Sequence, residues 1–370
     1  MESKKKVLIL GKLPPPYMGP SVAFEILVNS GLKNYYQLLH LDVKANTSLE
    51  TLGKWSFKKM FSNLAIYKNL YTLLIKEKPD LVLIPISQAT IGFLKDSVFI
   101  ALCRITKTRC LVQLRGSDFK RWVASANPVT RWYVKQILKF SEGVLVLGNN
   151  LRYLFSDYFN ENQIFVVPNG GNYNIPPFIK NGNQTVKIIY LANLQSSKGI
   201  EDVLQAMIHL EKTCPGASQL TVIGAWRKEE TRMDCLKVVA DNKLPVTFLS
   251  PEVSKNKLNH LTESDIFVFT PREPEGHPWV IVEAMASGLP VVSTDQGAIR
   301  ESVIDNENGF IVPSRDPKAI AGKLLLLIND PELRLKMGRN SRTLYEEKFT
   351  EERMVQNYIR AFDTVIGDRK

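Results

Sequence analysis

The sequence predicts an α/β protein of two doubly wound domains, each a parallel sheet covered by helices. Three observations carry this. The chain has 370 residues, more than one ordinary hydrophobic core accommodates. Short apolar runs bounded by Gly, Pro and Asn alternate along it with longer helical patterns, as βαβ units require. A polar stretch rich in Pro and Asn, 172–185, reads as a linker between the halves. The expected boundaries are a first domain over 1–171, the linker 172–185, a second domain over 186–348 and a C-terminal helical segment over 349–370.

A hydrophobic fraction of 44% and a charged fraction of 23% are those of a globular protein and exclude a disordered or fibrous class. The opening apolar run, Val7 to Leu10, is too short for a signal-peptide core and reads as a first strand. No uninterrupted apolar segment approaches the roughly 18–20 residues that span a bilayer. The longest, Ile91 to Ile105, is broken by Lys95, Asp96 and Arg104. Cys103, Cys110, Cys214 and Cys235 show neither zinc nor disulfide spacing, so reduced thiols in the cytoplasm are expected. Charge is uneven. Residues 1–175 hold 23 Lys+Arg against 11 Asp+Glu, so the net +11 of the chain belongs to its first half. Such asymmetry points to an anionic partner.

Taken in order, Val7 to Leu10 feeds a rigid loop, Gly11 to Pro20, and Ser21 is placed to cap a helix over Val22 to Leu32. His40 reads as a strand residue. Lys54 to Lys78 is basic and aromatic, with Trp55, Phe57, Phe61, Tyr67 and Tyr71 near helical spacing. A second such stretch runs from Phe119 to Lys135. Aromatic residues among cations suit an anionic lipid surface, and no nucleic-acid-binding motif accompanies them. Leu81 to Ile84, Cys110 to Leu114, Gly143 to Leu147 and Ile164 to Val167 read as the remaining strands of the first half. In the second half the strands are Val186 to Leu191, Leu220 to Gly224, Val246 to Leu249, Ile266 to Phe269, Val291 to Ser293 and Asn308 to Val312. Between them, Ile200 to Leu210, Val253 to Leu261, Val280 to Ala286 and the segments from Asp316 onward, ending about Glu352 to Ile366, read as helices.

The chemistry gathers where Ile266 to Phe269 gives way to a Pro-rich turn and the helix beginning near Val280. Such a turn lies at the carboxyl end of a strand and at a helix N-terminus, where open α/β sheets bind ligands and exposed N–H groups favour phosphate. Glu275 stands in the turn and Glu283 in the helix. Lys198, just before another helix N-terminus, suits a pyrophosphate.

The string Glu275-Gly-x-Pro-x-x-x-x-Glu283-Ala-Met-Ala-x-Gly-x-Pro-Val-Val resembles the donor-binding signature of retaining GT-B glycosyltransferases of family four. Three further stretches follow the same family: Arg115-Gly-Ser-Asp118, Val167-Pro-Asn-Gly170 and Lys198-Gly199. The resemblance implies two Rossmann-like domains facing across a cleft, with the last helix crossing back to the first. It implies transfer of a sugar, with retention, from a nucleotide-sugar to a saccharide acceptor, and the basic, aromatic first half points to a lipid-linked acceptor in the synthesis of capsule, O-antigen or exopolysaccharide. The nucleotide-sugar is a co-substrate, and neither a cofactor nor a metal is expected, there being no Asp-x-Asp motif.

The resemblance also assigns residues. Glu275, Asp118 and Arg115 fall at catalytic positions. Lys198, Asn193, Glu283, Gly276, His277, Trp279, Val280 and Gly19 fall at donor-binding ones. Glu275 would hold sugar hydroxyls on the reacting face, Glu283 the ribose, and Lys198 with the N–H groups near Val280 the diphosphate. Two positions depart. Arg115 replaces the family's His and cannot titrate near neutrality. Asn193 replaces an Arg, leaving Arg115, Arg272 and Lys12 as candidates to supply the missing cation. The expected partners are the donor, the saccharide or lipid-linked acceptor and an anionic membrane surface, met by the basic first half at the inner face of the cell membrane. The alternatives are a nucleotide-sugar epimerase of related fold and a degenerate, non-catalytic, membrane-associated relative.

Overall fold

A computed structural model describes residues 4–15, 19–44, 57–173, 175, 185–251 and 255–367, with backbone alone for 57–62 and 255. The chain divides into two compact units, 1–169 with 351–370, and 170–350.

The first unit runs β1 (Lys6–Gly11), α1 (Gly19–Asn29), β2 (Gln37–Asp42), α2 (Phe57–Glu77), β3 (Leu81–Ile86), α3 (Thr90–Ile105), β4 (Cys110–Leu114), α4 (Phe119–Ser125), α5 (Pro128–Leu138), β5 (Gly143–Val146) and β6 (Ile164–Val166). Its six strands are parallel in the order β2-β1-β3-β4-β5-β6. The inner strands carry unbroken apolar runs because helices cover both faces of such a sheet. Val7, Leu8, Ile9, Leu10, Val82, Leu83 and Val112 are all fully buried.

The start of α1 differs from expectation. The helix begins at Gly19, so Ser21 is not its cap but a buried residue inside its first turn. Pro20 permits this, because a first-turn N–H has no intrahelical partner to lose. The helix ends at Asn29, and Ser30 instead caps a short 3-10 turn, accepting from Leu32 N. Two of the three charges that interrupt 91–105 are also explained. Asp96 is buried on α3 and accepts from the Ser87 amide at 2.8 Å and its hydroxyl at 2.6 Å, with Lys95 beside it at 3.1 Å.

The second unit runs β7 (Val186–Leu191), α6 (Ile200–Thr213), β8 (Ser218–Ile223), α7 (Glu229–Asp241), β9 (Val246–Leu249), α8 (Lys255–Thr262), β10 (Ile266–Phe269), α9 (Trp279–Ala286), β11 (Val291–Thr294), α10 (Ile299–Ser302), β12 (Gly309–Val312), α11 (Pro317–Asn329) and α12 (Pro331–Lys348). The strands are parallel in the order β12-β11-β10-β7-β8-β9. Strand order therefore reverses between β7 and β10, which pair through Ile188–Ile266 and Ile189–Phe267. In open sheets the crevice outside the carboxyl ends of such a strand pair is where ligands bind.

The last helix, α13 (Glu351–Gly367), belongs to the first unit. Its residues hold that unit at several points. Glu351 accepts from the Gly31 amide at 3.2 Å, Asp363 accepts from the Tyr36 hydroxyl at 2.5 Å, and Arg109 donates to the Val365 carbonyl. One helix, α7, has no clear sequence signature, since only Thr231 and Cys235 of its residues are buried.

Candidate active site

β7 and β10 each end in a loop, and the two loops are built against one another. Gly199 adopts a left-handed φ of 80°, and a Cβ there would run into the Thr270 carbonyl. Only glycine lets the backbones approach this closely. The Arg272 amide donates to the Ser197 carbonyl at 2.9 Å. Its guanidinium grips Asp202 at 2.6 and 2.7 Å and reaches Glu201 at 3.1 Å, both in the first turn of α6. A bidentate pair of this kind fixes direction as well as distance.

That scaffold brings Lys198 to Glu275. The ammonium donates to Glu275 Oε1 although 77 residues separate them. Both side chains are largely buried, with exposures of 23% and 15%. Burial pushes the Glu275 carboxyl above its ordinary value, and the Lys198 charge opposes the shift. The Glu275-Gly276 backbone is supported from behind. Gly297, at φ 59°, lies so close to the Glu275 carbonyl that no Cβ fits, and the Ala298 amide donates to the Gly276 carbonyl at 2.8 Å.

His277 turns inward. It is 3% exposed, its Nε2 lies 2.6 Å from Ser302 Oγ, and its ring centroid is 5.1 Å from that of Phe349. Burial lowers its pKa to about 3, so the imidazole is neutral across the physiological range. Pro278 follows as the residue before α9 and makes no side-chain cap. The first-turn N–H groups of α9, including those of Trp279 and Val280, thus point out of a helix whose positive end is at the turn.

Glu283 lies one helical turn further and is 5% exposed. Its Oε1 accepts from Lys257 Nζ of α8 at 2.6 Å, and the Tyr173 hydroxyl is a second hydrogen-bonding neighbour of the carboxyl. Burial raises the Glu283 carboxyl, and Lys257 and then the Tyr173 hydroxyl oppose the shift.

The structure therefore brings Lys198, Glu275, Gly276, His277, Trp279, Val280 and Glu283 to one strand pair and one helix end. Asn193 is exposed at the end of β7. Arg272 is engaged by Asp202 and Glu201. Gly19, Lys12, Arg115 and Asp118 lie in the first unit. Gly19 opens α1. Arg115 donates to Asn169 Oδ1 and to the Tyr358 hydroxyl, each at 3.1 Å, and stacks over Phe24 at 4.8 Å. Asp118 pairs with Arg121 at 2.6 Å. Lys257, Tyr173 and Gly297 carry no site signal in the sequence. Lys257 sits in a polar run, 26 residues from the carboxylate that gives it meaning.

A profile of the family described as glycosyl transferases group 1 matches residues 174–344, which is nearly the whole of this unit. The chain carries a group 1 glycosyltransferase domain. Among relatives, it is 26% identical to the capsular polysaccharide biosynthesis glycosyltransferase CapM of Staphylococcus aureus, over 84% of this chain and 83% of that one. It is 27% identical to the N-acetyl-alpha-D-glucosaminyl L-malate synthase of Bacillus anthracis, over 50% of this chain and 46% of the relative. Among solved structures, a glycosyltransferase from Rickettsia africae superposes with a TM-score of 0.78 at 18% identity, over 99% of both chains. Anabaena HepE in complex with UDP superposes with a TM-score of 0.76 at 15% identity, over 97% of this chain and 100% of that one. The fold of this glycosyltransferase is GT-B. Among the described residues, no helix of the glycosyltransferase is long and apolar enough to cross a membrane.

Proposed function

We propose that this glycosyltransferase moves a sugar, with retention of anomeric configuration, from a nucleotide-sugar to a lipid-linked saccharide during assembly of a surface polysaccharide. The observation that carries the reading is the Lys198–Glu275 pair at the point where strand order reverses, beside the N-terminus of α9. A departing nucleoside diphosphate develops negative charge and leaves an oxocarbenium-like centre behind. Lys198 and the α9 amides take the phosphate charge. Glu275 holds hydroxyls on the reacting face of the sugar, and Glu283 holds the ribose. CapM, whose name places it in capsular polysaccharide biosynthesis, and HepE, solved with UDP, support the pathway and the donor class.

The acceptor half of the reading rests on the first unit. Val129, Trp132, Ile91 and Leu94 are exposed on α5 and α3, and Lys120, Arg121, Arg131, Lys135 and Lys139 lie on or beside α4 and α5. Apolar and aromatic side chains among cations suit an anionic bilayer at the cytoplasmic face. Of the other basic-aromatic stretch, 54–56 lie outside the described residues and 57–62 contribute backbone alone.

Two measurements test this. Turnover of α-linked nucleotide-sugars on lipid-linked saccharides should give an α-linked product by NMR, and a β-linked product would overturn retention. Sedimentation with vesicles should show binding to phosphatidylglycerol at low salt and release at high salt. Equal binding to neutral vesicles, or none at all, would remove the membrane from the account.

A further inference from the structure

Arg115 follows β4 at the carboxyl edge of the first sheet and is a largely buried cation held by neutral groups. Its Nη1 donates to Asn169 Oδ1, its Nη2 donates to the Tyr358 hydroxyl, and its face lies over the Phe24 ring. Among the described residues no carboxylate pairs with it. Asp118, in the same loop, is taken by Arg121 at 2.6 Å. The Arg115 Nε–H is buried without an acceptor among the described residues. Burial is the main influence on the guanidinium, lowering its pKa, and the Tyr358 hydroxyl alone opposes it. A guanidinium stays charged in proteins, and a buried charge is costly unless it is paired. The neighbouring groups add donors. Ser117 Oγ, in the same loop, is also buried without a partner among the described residues. Gln88, at the end of β3, fixes that loop by accepting from the Asp118 amide at 2.9 Å. Gly11, which ends β1, lies so close to Phe24 that a Cβ there would run into the ring, so the end of β1 and Arg115 meet at one phenyl group. Lys12 is exposed beside it. Strand order in this sheet reverses between β1 and β3, which opens a crevice at these same carboxyl ends.

We propose that Arg115 anchors an anion site on the first unit that takes a phosphate group, with Ser117 Oγ as a further donor and Lys12 as a cation at its edge. The planar fork of a guanidinium matches two phosphate oxygens, and the phosphate supplies the negative charge that the neutral neighbours do not. Asn169 and Tyr358 hold the fork in place, so little side-chain freedom is lost when the anion arrives. Two phosphates enter the proposed reaction, the diphosphate of the donor and the one that joins a saccharide to its lipid. The source of the anion therefore rests on the reading above, while the site stands on the geometry of the first unit alone.

The test is calorimetry of the full chain with inorganic pyrophosphate at fixed ionic strength. It uses Lys198→Met, which removes the phosphate contact proposed for the second unit, and the same protein carrying Arg115→Met or Arg115→Lys. Lys198→Met should still bind pyrophosphate. Adding Arg115→Met should weaken that binding about 10- to 100-fold, as loss of charge-assisted hydrogen bonds does. Arg115→Lys keeps the charge without the fork, should fall between the two, and gives the answer if the methionine variant does not fold. Titration of wild type and Arg115→Met with UDP, GDP, ADP and farnesyl diphosphate then separates the sources. A loss for farnesyl diphosphate alone assigns the site to the lipid-linked acceptor, and a loss for a nucleotide assigns it to the donor. A Lys198→Met protein that binds no pyrophosphate, or Arg115 variants that bind it as tightly as their parent, would overturn the proposal. Neither result touches the proposed function, which fails separately if wild type binds no nucleoside diphosphate.

Discussion

Lys198 donates to Glu275 across the carboxyl ends of β7 and β10, and each side chain is held by a glycine that permits no substitute. Gly199 lets the Lys198 loop touch Thr270, and Gly297 lets the Glu275 backbone rest on the turn that follows β11. The pair is thus a product of two close backbone approaches.

Glu275→Gln tests the carboxylate itself. The amide keeps the shape and removes the charge that would face the developing positive centre. A kcat lower by about 10²–10³-fold is expected, the magnitude for loss of one preorganised electrostatic group. Nucleotide affinity should change little. A variant with near-normal kcat would exclude Glu275 from the reacting face.

Gly297→Ala tests the support. The substitution meets both a left-handed φ and the Glu275 carbonyl, so it should cost more than the roughly 1 kcal/mol of a simple left-handed alanine. Thermal unfolding should show the loss, and kcat should fall with it because Glu275 is displaced. A melting temperature equal to that of wild type would show that the turn relaxes freely.

The two buried carboxyls predict a pH dependence. Burial raises the pKa of both Glu275 and Glu283 above the ordinary 4.5. A carboxyl that binds its proton more tightly when folded contributes stability that is full below 4.5 and is lost as pH rises through the raised value. Relative to wild type, Glu275→Gln and Glu283→Gln should therefore gain stability as pH climbs from that point. Denaturant unfolding at a series of pH values checks it. The opposite trend would mean that the lysine partners outweigh burial.

His277 predicts the reverse sign. Its pKa falls from 6.5 to about 3 on burial, so the stability it lends is present above 6.5 and is lost as pH drops towards 3. The imidazole proton resonances of His277 should show no titration between about pH 5 and 7, well above that folded value. Titration near 6.5 would place the ring in solvent.

Much of this was legible in the sequence, and the reasons for the exceptions are physical. Parallel strands buried on both faces are continuous apolar runs, so β1, β3, β4, β7, β10 and β11 are plain in the chain, as is the turn that holds Glu275. Glu283 and Lys198 stand out in the chain through the family strings that contain them, since a strand end or helix end alone leaves a lone Glu or Lys indistinguishable from a surface charge. Lys257 does not, because a lysine in a polar helix has no signature until a carboxylate from another helix meets it. Arg115 shows the same limit from the other side. The sequence marks it as a substituted site residue, and only the fold reveals that Asn169, Tyr358 and Phe24 surround its guanidinium. Ser21 reads as a cap yet lies inside α1, because a capping residue and a small buried helix residue look alike when Gly and Pro precede both.

The central claim is that the second unit receives a nucleoside diphosphate at Lys198 and the start of α9. Calorimetry with UDP, GDP and ADP, each beside its monophosphate, on wild type and Lys198→Met tests this most directly. The account predicts that wild type binds one diphosphate more tightly than the matching monophosphate and that Lys198→Met abolishes that difference. Wild-type protein that binds none of them, or a Lys198→Met variant that keeps the full preference for the diphosphate, would contradict it.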